Sequence, residues 1–463
     1  MSTLSMMDLA FFLTETEASP KHIGGLMIFS KPKNAPDDFV KKTYEELLST
    51  ADQVKPPFNQ VIRWGGLGLP RWTLADDFDL ADHLFYRQLP APGNRRVLNR
   101  IAGELHTPKM DRDRPMWEMH LLDGMEGNRF AIYTRLHHAY ADGATITRWT
   151  IRSFSDSARV KKITPVWSAP SGRPKGNSQK FSLMSIVRVL ASRSKDQAKM
   201  IAGLSKLNTQ LLLEQLNLTK NAVAVPFKLK HKTVLTGQVA SGRQVSTATV
   251  PMERVNHLRK VTRSTLNHVA LTCIDGALHR YLEECGTDLQ EPITIQMPVN
   301  LRAEGDEEGG NKIGIVLVDL ARKTNDPYER LREIGFTLRN VRYQVDGVPA
   351  SSVIAYTLTL GVFAQLAELL KLSNALPPLG NTLVSNVPGP KNPLYMRGAK
   401  LDEQYPISAL TPGNHMNITL YSYDKHLHFG LVASHALPNL DKLGGYIHDA
   451  FIELEDAVNA DRK

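Results

Sequence analysis

Short apolar runs alternate along this chain with polar, Gly-marked breaks, and a few longer stretches repeat apolar residues at helical spacing. Residues 24–29 (Gly-Gly-Leu-Met-Ile-Phe) read as a strand. Val40, Tyr44, Leu47 and Leu48 predict a helix over 37–48, with Asp37 or Asp38 as its cap. The apolar runs 117–122 and 129–136 flank a break containing Gly124 and Gly127, so they predict a hairpin whose second strand ends at His137. In the second half, 243–250, 293–299, 314–320, 382–387, 417–423 and 428–433 read as strands, with helices over 255–266 and 269–282. The elements predict an α/β, α+β-sandwich fold divided into residues 1–157, a crossover over 158–242, and residues 243–463.

Composition changes this picture mainly in the crossover. The chain carries a net charge of +9, which favours anionic partners. Residues 171–232 hold twelve Lys and Arg against only Asp196 and Glu214, interleaved with Ile201, Leu204, Leu207 and Leu211 at roughly helical spacing. Two readings stand for it: a solvated linker helix packing its apolar side on a neighbour, or a membrane or lipid-droplet anchor. Nucleic acid is not an expected partner, because the segment's aromatics are only Phe181 and Phe227. Two cysteines, Cys273 and Cys285, imply no disulfide framework and fit a reducing compartment. No signal peptide is expected at the N-terminus, and no uninterrupted apolar run reaches the ~18 residues of a membrane span. The expected location is therefore the cytoplasm, with any attachment to the inner membrane or lipid inclusions peripheral.

The candidate chemistry lies at the end of the second hairpin strand. His137-His138-Ala139-Tyr140-Ala141-Asp142-Gly143 sets two imidazoles, a carboxylate and a glycine beside each other. A neutral imidazole suits removal of a hydroxyl proton near neutral pH. No Gly-x-Ser-x-Gly elbow occurs and neither cysteine neighbours a histidine, so a covalent nucleophile is not evident. Adjacent strand residues point to opposite faces, which disfavours one metal ion held by both histidines, and no metal is expected. Asp142 reads as catalytic or structural; the structural reading is preferred, with Arg302 as the candidate partner.

These residues resemble the active-site signature of the bacterial wax ester synthase/acyl-CoA:diacylglycerol acyltransferase family, within the coenzyme A-dependent acyltransferase superfamily. Further blocks are similar in order along nearly the whole chain: His22-Ile23-Gly24-Gly25-Leu26, Arg114-Pro115-Met116-Trp117-Glu118, Met297-Pro298-Val299-Asn300-Leu301-Arg302, Ser385-Asn386-Val387-Pro388-Gly389-Pro390 and Asn417-Ile418-Thr419. The resemblance implies two chloramphenicol-acetyltransferase-like domains with the site in a tunnel between them. It implies transfer from long-chain acyl-CoA, a substrate rather than a bound cofactor, to a fatty alcohol or diacylglycerol. His138 is then the general base, His137 supports it, and Asp142 and Gly143 hold the geometry. Asn267 matches one member of the family's Asn-Asp pair and is the candidate to polarise the thioester carbonyl; His268 replaces the aspartate. Ser385, Asn386, Pro388 and Gly389 are expected scaffold at the domain junction. Leu358, Leu360, Val362, Phe363 and Leu366 either line an aliphatic pocket or form ordinary helix core. A condensation-type transferase using a carrier-protein thioester and a non-enzymatic lipid-surface protein are the alternative readings.

Overall fold

The hairpin predicted from residues 117–136 is the centre of the first half. The computed structural model describes residues 4, 6–64, 70–168, 226–227, 232–300 and 313–460. Within the first half it contains α1 (Met6–Thr14), β1 (His22–Ser30), α2 (Phe39–Leu48), β2 (Gln60–Arg63), β3 (Arg71–Leu74), β4 (Leu84–Gln88), α3 (Arg95–His106), β5 (Trp117–Met125), β6 (Arg129–His137) and α4 (Gly143–Ser153). β5 and β6 form the antiparallel hairpin, and β1 pairs with β6 so that His22 lies opposite His137. Both faces of this sheet are covered, which explains the near-continuous apolar runs. Met27, Phe29, Phe130 and Ile132 enter one core cluster with Val40 and Leu47 of α2. Leu26, Ile28, Ala131 and Tyr133 enter the other, with Leu98 and Ala102 of α3. This is the period-two alternation of a strand read through two cores. Asp38 does occupy the cap position of α2, but its side chain makes no capping hydrogen bond and pairs instead with Lys42 at 2.9 Å.

The second half contains β7 (Arg243–Pro251), α5 (Met252–Thr262), α6 (Leu266–Glu284), β8 (Thr294–Asn300), β9 (Ile313–Asp319), α7 (Pro327–Asp346), α8 (Ala350–Leu369), β10 (Thr382–Pro388), β11 (Tyr395–Met396), β12 (Ala399–Ile407), β13 (Met416–Tyr423), β14 (His426–Ser434) and α9 (Leu440–Ala460). One six-stranded sheet runs β7-β14-β13-β10-β8-β9. Its core joins Ile274, Leu278 and Tyr281 of α6 to Ile447, Phe451 and Leu454 of α9.

The sheets do not divide where the chain does. The first sheet runs β11-β12-β1-β6-β5-β4, so residues 395–407 of the second half complete the sheet of the first. β12 pairs antiparallel with β1, Gly24 lying opposite Ile407. The two sheets meet closely at Gly430 of β14, where a Cβ would stand 1.9 Å from the Pro406 carbonyl oxygen. Only a glycine permits that approach.

Two expectations need correction or fall outside this description. Val362, Phe363 and Leu366 do not form core: they are exposed on α8, while Leu360 packs with Leu317 and Leu379. A helix with apolar residues on every side gives no periodic signal of which side turns inward. Most of the basic crossover, and Arg302, lie outside the described residues.

Candidate active site

β6 delivers its last residue, His137, into the interior. Its backbone N–H donates to the Met116 carbonyl at 2.9 Å, and the ring is fully buried. Nδ1 accepts the Ala139 N–H at 3.1 Å, so the ring proton resides on Nε2. That nitrogen faces Glu15 Oε1 at 3.6 Å, an ion-pair distance rather than a hydrogen bond. Glu15 is itself held by the Lys21 N–H (3.1 Å) and by Arg112 Nη2 (3.1 Å). Burial, with the neighbouring His22, His138, Arg112 and Lys21, holds the His137 pKa well below the ordinary imidazole value. His137 is thus a neutral ring of fixed tautomer.

His138 stands one residue beyond and is only half-buried. Its backbone N–H donates to the Lys21 carbonyl at 2.8 Å, which ties the turn to the start of β1. Nδ1 is buried and has no hydrogen-bond partner among the described residues. Burial holds the His138 pKa below its usual value, its own carbonyl and the Asp142 carboxylate acting against that, Lys21 with it. The Phe11 ring of α1 stacks on the imidazole, with centroids 4.1 Å apart and planes inclined by 21°.

Asp142 is buried and is the N-cap of α4: its Oδ1 accepts the Thr145 N–H at 2.8 Å. The structural reading of this carboxylate therefore has a visible basis in the cap, while its expected partner Arg302 lies outside the described residues. A Cβ on Gly143, the first residue of α4, would lie 3.6 Å from Val387 Cγ2. The motif thus meets β10 of the second half.

Along β10 the side chains alternate. Ser385 Oγ shares a hydrogen bond with Thr419 Oγ1 (2.8 Å), which shares another with Ser408 Oγ (2.8 Å). Asn386 Nδ2 donates to Asn267 Oδ1 at 2.8 Å, both residues being exposed. Asn267 thus stands at the start of α6, joined to the motif through Asn386 and Val387, with no hydrogen bond to either histidine. His268 is buried in the first turn of the same helix, its N–H capped by Thr265 Oγ1 at 3.2 Å. Gly389 lies where a Cβ would meet the Tyr421 ring at 2.5 Å, and its N–H donates to the Ser422 carbonyl at 2.9 Å. The bend therefore seals against β13.

Phe11, Glu15, Lys21 and Arg112 were missed by sequence reasoning. Glu15 and Lys21 sit in an irregular segment whose pattern marks no element. Lys21 is fully buried, donates from Nζ to Ser19 Oγ at 2.8 Å, and has its pKa lowered to about 8 by burial. An apolar cavity lies between α4 and the first sheet, lined by Ile23, Met27, Trp117, Leu136, Ile146 and Trp149. Leu136, the residue before the histidines, is among its lining residues.

Comparison with known proteins agrees along the chain. Residues 4–270 match the wax ester synthase/diacylglycerol acyltransferase catalytic domain, and residues 309–455 the C-terminal domain of the same family. A probable diacylglycerol O-acyltransferase of Mycobacterium tuberculosis is 31% identical over 456 residues, covering 97% of this chain and 98% of the relative. The O-acyltransferase WSD of Acinetobacter baylyi is 30% identical over 471 residues, covering 99% and 98%. A solved wax ester synthase/diacylglycerol acyltransferase from Marinobacter aquaeolei VT8 superposes with a TM-score of 0.77 at 26% identity, covering 99% of this chain and 100% of that one. The two-domain acyltransferase fold is shared throughout.

Proposed function

The chain belongs to the wax ester synthase/diacylglycerol acyltransferase family, and from that premise we propose that it moves a long-chain fatty acyl group from acyl-CoA to a fatty alcohol, and also to a diacylglycerol. The products are a wax ester and a triacylglycerol. His138 Nε2 takes the hydroxyl proton as the alcohol oxygen bonds to the thioester carbonyl carbon. The carbon–sulfur bond then breaks, and the imidazolium returns the proton to the departing thiolate. No acyl-enzyme forms and no resident cofactor is needed, since acyl-CoA is consumed as substrate. The net charge of +9 favours its phosphates. The Asn267 amide polarises the thioester carbonyl. Burial of the aliphatic chain contributes roughly 0.8 kcal/mol per CH₂. We place the reaction in the cytoplasm, at the surface of lipid inclusions or membrane.

The observation that carries this reading is the half-buried His138 imidazole, whose Nδ1 has no hydrogen-bond partner among the described residues, set between Phe11 and the capped start of α4. Incubation of pure protein with palmitoyl-CoA and either hexadecanol or diolein, followed by free thiol release, tests it. His138→Ala is expected to abolish ester formation while circular dichroism stays unchanged. Full turnover by that variant would dismiss His138 as the base, and an inert wild-type protein would dismiss the reaction.

A further inference from the structure

Helix α8 turns most of its polar side chains inward and an apolar side outward. Its inner face is buried through Val353, Tyr356, Ala364, Gln365 and Glu368. Glu368, the helix's one carboxylate, is spent internally, accepting the Val239 N–H (2.9 Å), Gln238 Nε2 (2.8 Å) and Ser373 Oγ (2.7 Å). The outer face carries Val362, Phe363, Leu366, Leu369 and Leu370, at 57, 59, 48, 47 and 66% exposure. Leu372 and Leu376 extend it past the helix end, also exposed. The spacing puts 362, 366, 369 and 370 on one stripe. Soluble proteins rarely leave so many large apolar side chains together in water, and such patches mark docking surfaces. Residues Ser352–Leu369 have a mean hydropathy of 1.4, high enough to cross a membrane by length and composition, yet half of that stretch is buried in the protein. A helix with one side fixed to its own domain can lie on a lipid surface but not span it.

We propose that this outer face of α8 docks the enzyme onto an anionic phospholipid surface, the source of its water-insoluble acceptor. The inference rests on the acyl-transfer reading above. Three observations select lipid over a protein partner. The stripe offers no hydrogen-bonding side chain for a polar, geometry-specific contact. The preceding helix, α7, joined to α8 by residues 347–349, exposes Arg332, Phe336, Arg339 and Tyr343 at helical spacing. Cationic and aromatic side chains on one stripe are what a negatively charged headgroup layer attracts and retains. Finally, Gln365 Nε2 donates to the Thr14 carbonyl at 3.3 Å, so α8 abuts the end of α1. Leu13 of α1 is exposed, Phe12 is buried edge-on to His137, and Phe11 covers His138. The inner face of α8 therefore meets α1, the helix whose Phe11 lies on the reacting imidazole.

The test compares wild type with Phe363→Glu/Leu366→Glu and with Arg332→Glu/Arg339→Glu. All four positions are exposed, so folding should be retained; thermal melts check this. Co-flotation with phosphatidylcholine/phosphatidylglycerol vesicles is expected to fall about tenfold or more in both variants. Turnover of vesicle-borne hexadecanol should fall with it, while turnover of butyryl-CoA with a water-soluble alcohol stays at the wild-type rate. Wild-type protein that does not float, or variants that float as well as wild type, would overturn the proposal. A lipid-free wild-type dimer that Phe363→Glu/Leu366→Glu turns into a monomer would also overturn it, assigning the face to a second copy. Loss of turnover on every substrate in the wild type would refute the acyl-transfer reading instead, and flotation would still decide the docking.

Discussion

At the scale of single residues, the site rests on holding two adjacent imidazoles in different states. His137 is locked by the Ala139 N–H on one nitrogen and faces Glu15 with the other. His138 has no hydrogen-bond partner on Nδ1 among the described residues, and we propose it as the base. A general base acts unprotonated, and a pKa below the usual 6.5 keeps this ring neutral as the solution is acidified through that value. The acid limb of kcat/KM is accordingly expected to have its midpoint below 6.5. Asp142 raises the His138 pKa through its charge and caps α4 through its oxygen. Asp142→Asn keeps a capping oxygen and removes the charge, so the acid limb should move to still lower pH with little loss of stability, whereas Asp142→Ala should cost about 1 kcal/mol in addition. pH–rate profiles and urea melts of the two variants separate the roles. Asn267→Ala should lower kcat by about 10²–10³ if the amide stabilises the oxyanion; a change below threefold removes it from the reaction.

At the scale of elements, the helices differ in how firmly their packing is specified. α6 and α7 are joined by a buried ionic cluster in which Asp275 Oδ2 lies 3.1 Å from Arg330 Nε and 3.5 Å from His279 Nδ1. Burial alone would lower the His279 pKa, but the Asp275 carboxylate outweighs it and the pKa is raised. Arg330→Met would leave the buried Asp275 carboxylate with His279 beside it but without the guanidinium, and a stability loss of about 3 kcal/mol is expected in urea unfolding. A loss under ~1 kcal/mol would show that the cluster is incidental. The hairpin β5–β6 was legible from residues 117–136, because alternation and turn chemistry act over short distances; the cap of α4 by Asp142 was not read. The direction of α8 was not legible either, because a helix with apolar residues on every side satisfies either orientation locally. Only the residues beside it, Thr14, Gln238 and Gly413, decide which side is inner.

At the scale of the molecule, the halves are interlocked rather than merely adjacent. β12 leaves the second half to pair with β1, and Gly430 lets the second sheet press against the chain at Pro406. Gly430→Ala must separate them by a substantial fraction of an ångström. A destabilisation of about 1–3 kcal/mol is expected in thermal or urea melts, together with reduced turnover, since Gly143 meets Val387 across the same junction. An unchanged melting temperature would mean that the junction relaxes freely.

The amino-acid order alone determined the local pieces of this protein: the strand that ends at His137, the turn from His138 to Gly143, the two α/β halves and the family to which they belong. Each depends on side-chain periodicity or on chemistry confined to a few neighbouring residues. Tertiary structure decided what is set by distant partners: that Glu15 and Arg112 stand behind His137, that Phe11 lies on His138, that residues 395–407 complete the opposite sheet, and that α8 turns its leucines outward. Such contacts are chosen by the free energy of the assembled chain, and no pattern within one segment encodes them.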